Sequence, residues 1–177
     1  MSFAARSLGI ARSLAMYYGI PLVLMSPQRF LARPVRWLQA ISQYGGTLSA
    51  APNFAYELCL SRIRDEEMKG VDLSTWRIAA NGAEAVLPAT LRGFRHRFAG
   101  HGLKETTLSP AYGLAENCVG LTFFGPHREP VFDRVQRGPF MSSGAAEPAA
   151  EDDETAMEFP SCGQPLPQHD LRILDAG

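Results

Sequence analysis

The sequence predicts an α/β fold, a mostly parallel sheet flanked by helices, and three observations predict it. Short uncharged apolar runs alternate with segments of helical period, the order expected of βαβ units, whose crossovers make neighbouring strands parallel. Some of those runs are apolar throughout, as strands covered on both faces are. The chain has 177 residues, 46% of them hydrophobic and 20% charged, enough apolar material for one real core.

Leu8, Ile10, Ala11, Leu14, Ala15 and Tyr18 recur at helical spacing, and Gly19 and Pro21 end that element. The run Pro21-Leu22-Val23-Leu24-Met25 reads as a doubly covered strand. Ser26-Pro27 has the form of an N-cap followed by proline at the first helical position. Pro34 opens a second helix with Val35, Leu38 and Ile41 on its inner face and Trp37 beside them, and Gly45-Gly46 breaks it. Thr47 to Ala50 reads as a strand. Asn53 can cap a helix through about Arg64, with Glu57 in its first turn. Asp72 to Trp76 forms a capped turn that leads into a strand, Arg77 to Ala80. Pro88 opens a helix with Leu91, Phe94 and Phe98 inside and Arg92, Arg95 and Arg97 outside, stopped by Gly100 and Gly102. A strand near Thr106 to Leu108 follows, then an apolar run from Val119 to Phe124. Residues 125–160, rich in Gly, Pro, Ala and acid, read as a mobile surface insertion. The alternating Leu171-Arg172-Ile173-Leu174 reads as a returning strand.

A net charge of −1 argues against a general nucleic-acid binder. The charge is unevenly spread. Arg6, Arg12, Arg29, Arg33 and Arg36 precede the first acid, Glu57, whereas from Gly144 onward eight acidic residues face only Arg172. An acid-free, Arg-bearing start also fits a transit peptide, but the segment continues into patterned structure instead of a cleavage site. The longest charge-free run, Trp37 to Tyr56, is too polar to span a bilayer. The expectation is a cytoplasmic chain without membrane insertion. Cys59, Cys118 and Cys162 lack a CxxC pair, and His96, His101, His127 and His169 form no ligand pattern with them. Reduced thiols are expected, without a disulfide frame, a zinc site or a Cys–His nucleophile.

In a doubly wound sheet, ligands sit beyond the carboxyl ends of the strands. Two loops qualify. Asn81-Gly82-Ala83-Glu84 lies between a strand and a helix, and Gly82 admits close backbone approach to a flat ligand. Tyr112-Gly113-Leu114-Ala115-Glu116 sets an aromatic face, a glycine and a carboxylate within five positions, a set able to stack a base, admit a phosphate and hold Mg²⁺. Taken alone, a strand–Gly–helix junction is more often a tight turn, and a Tyr after a Pro more often packing, than a ligand site.

The segments VLMSPQRFLARPVRWLQAIS, SAAPNFAYELC, DLSTWRIAANGAEAV, LSPAYGLAEN and SCGQPLPQHDLRILD, in that order, resemble the fatty-acyl-AMP ligases of the adenylate-forming superfamily, which also includes acyl-CoA synthetases and peptide-synthetase adenylation domains. The resemblance covers nearly the whole chain from about Leu8, apart from residues 125–160. It implies the large N-terminal domain of an AMP-forming ligase, with ATP or AMP and Mg²⁺ as cofactors. It further implies that Asn81, Gly82, Ala83 and Glu84 border the adenine and that Gly113, Leu114 and Ala115 also contact the nucleotide. Tyr112 would stack on the adenine, Glu116 would help hold Mg²⁺, and Asn53 and Phe54 would lie along the acyl approach. Ala115 stands where many relatives have a phosphate-bonding Thr. For Phe54 and Tyr56, helix packing is as good a reading as acyl contact. The implied reaction is in-line attack of a fatty carboxylate on the α-phosphate of ATP, driven by positioning and charge neutralisation and needing no protein nucleophile. A carrier protein or CoA would accept the acyl group.

The departures from that family are specific. No Gly/Ser/Thr-rich phosphate loop is present, and the only lysines are Lys69 and Lys104. The expectation is therefore an internal piece of a larger ligase: residues 1–124 a partial adenylate-forming domain, 125–160 the insertion, and 161–177 a returning segment. Such a piece would be inactive alone and prone to self-association through exposed apolar surface. Ala115 and the insertion before Ser161 favour the acyl-AMP type, whose family insertion restrains the C-terminal domain. A piece of an acyl-CoA ligase or peptide-synthetase adenylation domain, or a non-catalytic interaction module of the same fold, remains the alternative.

Overall fold

The computed structural model describes residues 12–13, 15–114, 116, 120–125 and 127–174. Leu8, Ile10, Ala11 and Leu14 of the expected opening helix lie outside them; residues 12–13 and 15–18 are helical, with Met16, Tyr17 and Tyr18 exposed. Helix α1 (Pro27–Ala32) starts as expected, with Ser26 Oγ accepting from the Arg29 N–H at 3.3 Å. Helix α2 (Val35–Tyr44) buries Val35, Leu38 and Ile41 and ends at Gly45, whose φ of 61° is the left-handed turn that glycine adopts freely. Strand β1 (Leu48–Ala51), helix α3 (Asn53–Arg62), strand β2 (Ile78–Asn81), helix α4 (Pro88–Phe98) and strand β3 (Leu108–Tyr112) complete two βαβ crossovers. The chain returns through β4 (Thr122–Phe123), β5 (Phe132–Val135), α5 (Arg137–Ser143), β6 (Met157–Pro160) and β7 (Gln164–Pro165).

The main sheet has the order β1-β2-β3-β4-β7. It is mixed. β1, β2 and β3 pair parallel, in the register Ala51↔Asn81↔Pro110, whereas β4 runs antiparallel to both β3 and β7. β5 and β6 form a separate antiparallel pair. Helices α2, α3 and α4 gather their buried side chains into one cluster over the face that carries Ala79 and Leu108. Its centre is a chain of aromatic rings. Trp37 meets Tyr56 and Trp76 edge-on, both at 5.3 Å, and Tyr56 meets Phe94 at 5.1 Å. The opposite face is barer, since Leu48 and Ala50 on β1 are exposed.

Several local expectations differ from the structure, and for the strands the reason is that a strand needs a ladder partner that its own residues cannot specify. Pro21 to Met25 is not a strand, and Leu22, Val23 and Leu24 are exposed. Leu171 to Leu174 is likewise irregular and exposed; the returning strand is Gln164–Pro165, which finds β4. Thr106 belongs to a 3₁₀ turn, Glu105–Thr107, and the strand begins at Leu108. Asn53 does not cap α3 and Glu57 lies beyond its first turn; the N-cap is Pro52, and the helix ends at Arg62. Within residues 125–160 the chain forms β5, α5 and β6.

Candidate functional site

Because β2 and β3 are adjacent and parallel, their carboxyl ends carry the two loops singled out in the sequence side by side. Their contact is tight. A Cβ on Gly82 would lie 2.5 Å from the Ala111 carbonyl oxygen, so only glycine lets the first loop lie against the end of β3. Ala83 follows with φ 72°, a left-handed conformation that costs a non-glycine residue about 1–2 kcal/mol. Strain of this kind persists where the surroundings dictate the backbone. Here the Glu84 carboxylate accepts the Phe54 N–H at 2.6 Å, and so ties the loop to the start of α3.

The residues of the two loops divide into exposed and buried. Ala83, Glu84, Tyr112 and Glu116 are exposed, Tyr112 by 49%, and Gly82, Gly113 and Leu114 are half-buried. Ala115 lies outside the described residues. Asn81 is fully buried and donates from Nδ2 to Asn53 Oδ1 at 3.1 Å. Asn53 is 3% exposed, so its side chain faces Asn81 and the protein, while its neighbour Phe54 is 45% exposed. Tyr56 is core: fully buried, its hydroxyl donates to the Ala80 carbonyl at 3.0 Å and burial keeps the phenol protonated.

Glu57 and Thr90 join this group and were not among the sequence candidates. Both bond to Asn53, Glu57 from four residues along α3 and Thr90 from the first turn of α4. The i,i+4 spacing of Asn53 and Glu57 was the only sequence signal, and nothing local marks Thr90.

The chemistry open to this surface is binding and orientation. Burial pushes the Cys59 thiol up to about 12 and raises Cys162 as well, so neither supplies a thiolate at neutral pH. No group of three or more His, Cys, Asp or Glu capable of holding a metal occurs among the described residues. A cleft of about 170 Å³ between β4, β7 and residues 128–131 is lined by Phe123, Arg128, Ser161 and Gln164. No described residue of either loop lines this cleft.

A family profile described as AMP-binding enzyme matches residues 6–177. The chain belongs to the AMP-binding enzyme family. It is 43% identical over 156 residues to a 4-hydroxyphenylalkanoate adenylyltransferase of Mycobacterium tuberculosis, covering 86% of this chain and 24% of that protein. It is 34% identical over 165 residues to a medium-chain-fatty-acid–[acyl-carrier-protein] ligase of Teredinibacter turnerae, covering 90% and 25%. Among solved structures, the fatty acid AMP ligase of Legionella pneumophila superposes with a TM-score of 0.80 at 36% identity, covering 84% of this chain and 26% of that one. The fold is thus one shared with fatty acyl-AMP ligases, and the chain spans about a quarter of the length of the curated relatives it matches. Among the described residues no helix is long and apolar enough to cross a membrane.

Proposed function

We propose that this chain forms one wall of the nucleotide and acyl site of a cytoplasmic AMP-forming ligase, which activates a fatty acid as its acyl-adenylate for a carrier protein. One observation carries the reading: the parallel pairing of β2 with β3 sets the Gly82 loop beside the half-exposed ring of Tyr112. In this reading Tyr112 stacks on the adenine of ATP or AMP, Asn81, Gly82, Ala83 and Glu84 border it, and Gly113, Leu114 and Ala115 also contact the nucleotide. Asn53 and Phe54 stand at the acyl approach, Asn53 as a buried support and Phe54 as the contacting side chain. Glu116 is an exposed carboxylate. That suits Mg²⁺, which keeps most of its waters and takes one or two carboxylates together with substrate phosphates. Residues 125–160 are an insertion between the ligase segments 1–124 and 161–177, and the exposed Leu22, Val23, Leu24 and Leu48 favour self-association of the chain on its own.

The chain's own contribution is to hold and orient. Stacking on an aromatic ring is worth about 1–3 kcal/mol, so AMP should bind no tighter than about millimolar. Titration of the labelled chain with AMP should shift the NMR signals of residues 81–84 and 112–116. Tyr112→Ala should abolish those shifts with the fold intact, and Glu116→Gln should weaken only the Mg²⁺-dependent part. Shifts scattered over the surface, or unchanged in Tyr112→Ala, would overturn the reading. By itself the chain should form no acyl-adenylate, because it has neither a phosphate loop nor a lysine beside these residues; ATP-dependent acyl-hydroxamate formation by the pure chain would contradict that.

A further inference from the structure

The nucleotide loop is held from behind by a relay of polar side chains. Glu57 Oε1 accepts from Thr90 Oγ1 at 2.9 Å and from Asn53 Nδ2 at 3.0 Å, and Thr90 Oγ1 lies 3.2 Å from Asn53 Nδ2. On the other side, Asn53 Oδ1 accepts from Asn81 Nδ2 and from the Leu87 N–H, each at 3.1 Å. Asn53, Asn81 and Thr90 are all at least 96% buried. Asn81 and Leu87 bracket residues 82–86, so one amide oxygen pins both ends of the loop.

The direction of that amide is not arbitrary. A carboxylate only accepts, so Glu57 draws the NH₂ end of Asn53 toward itself and turns the oxygen to the loop. The Thr90 hydroxyl donates to Glu57 and accepts from Asn53, and strengthens the same polarity. A flipped amide would set oxygen against carboxylate and NH₂ against the Leu87 N–H, leaving buried donors without acceptors.

We propose that Glu57 and Thr90 are positioning residues for the nucleotide loop: they fix the orientation of the Asn53 amide, which clamps residues 82–86 at both ends. This rests on the reading of residues 81–84 as the adenine border. The loop acts by backbone and by the strained Ala83, so its shape depends on what holds its ends.

The test uses hydrogen exchange at the Leu87 amide and AMP titration on the labelled chain. Glu57→Ala should speed Leu87 exchange by about tenfold, the loss of one buried hydrogen bond, and should weaken AMP binding. The Ile41 amide in α2 should exchange as before. Glu57→Gln, which keeps an acceptor oxygen, should restore protection. Thr90→Val, at a second site, should speed Leu87 exchange by a smaller factor. Unchanged Leu87 exchange in both Glu57→Ala and Thr90→Val would overturn the clamp, as would an equal rise at Leu87 and Ile41. If Leu87 is released while AMP binds Glu57→Ala as tightly as the unmodified chain, the positioning role falls. Absence of AMP shifts in the unmodified chain would instead sink the adenine reading, while Leu87 exchange still reports on the clamp.

Discussion

The two halves of the molecule are held together by different forces. From α2 to β3 the chain is organised around buried aromatic rings: Tyr56, Trp76, Phe94 and Phe98 are all fully buried. From 127 to 160, Val135 is the only buried apolar side chain among the described residues. That segment is held by arginines. Arg134 donates to the carbonyls of Ala150, Glu151 and Asp153, the last two at 2.7 and 2.6 Å, and so gathers an acid-rich loop onto β5. Arg92 of α4 bonds Glu158 of β6 at 2.6 Å and lies 4.5 Å over the Phe132 ring, while Arg95 pairs with Glu105 and with Glu129. Burial of apolar area is worth kilocalories per side chain, whereas partly exposed ion pairs and cation–π contacts contribute about 1 kcal/mol or less each. The first half should therefore behave as the cooperative unit, and the second as a segment docked on it and sensitive to its medium.

Removing a ring from the first half tests this most severely. Trp76→Ala opens a cavity beneath β2 and removes the indole N–H bond to the Ile78 carbonyl at 3.0 Å. It should cost about 3–5 kcal/mol, a large share of a typical domain's total stability. The melting curve should collapse for both halves together; survival of core helicity would show that the aromatic cluster is not the organising unit.

Removing Arg92 should separate the halves. Arg92→Ala deletes both the Glu158 bond and the contact with Phe132, at a cost of about 1 kcal/mol. Amide exchange should accelerate across Phe132–Val135 and residues 157–159 and remain unchanged at Leu38 and Phe94. Equal acceleration at the core positions would merge the two units into one.

Acid should do the same more gently. The hydrogen bond from Arg92 holds the Glu158 carboxyl below the usual carboxylate range, with Arg134 adding to the effect. A lowered value in the folded state means that docking is fully stabilised above the ordinary carboxylate range and is lost as the pH falls through the lowered value. Exchange on β5 and β6 should rise over that window before the core begins to melt, and added salt, by screening the same pairs, should raise it at neutral pH as well. A docking contact indifferent to both would have to be apolar.

Local periodicity and punctuation settled more of this protein than its turns of phrase about function could. The inner faces of α2 and α4, the Ser26 cap, the strand before Asn81 and the two loops at the sheet's carboxyl edge all follow from residues within one element, because side-chain period and capping are short-range properties. Wherever a residue's role depended on a partner far along the chain, tertiary structure decided. The apolar run at 21–25 and the alternating run at 171–174 have the composition of strands but no ladder, while Gln164–Pro165 has one. Arg92, Arg95 and Arg97 look like a solvated stripe in sequence, yet each has partners in the fold, Arg97 through the Leu60 and Ile63 carbonyls. The polar side chains behind residues 82–86 join Asn53 to Asn81 and Thr90, and Thr90 to Glu57, 28 to 37 positions apart. Hydrogen-bonding groups of that kind carry no periodic signature, and only the packing of α3 and α4 on β2 brings them within reach of one another.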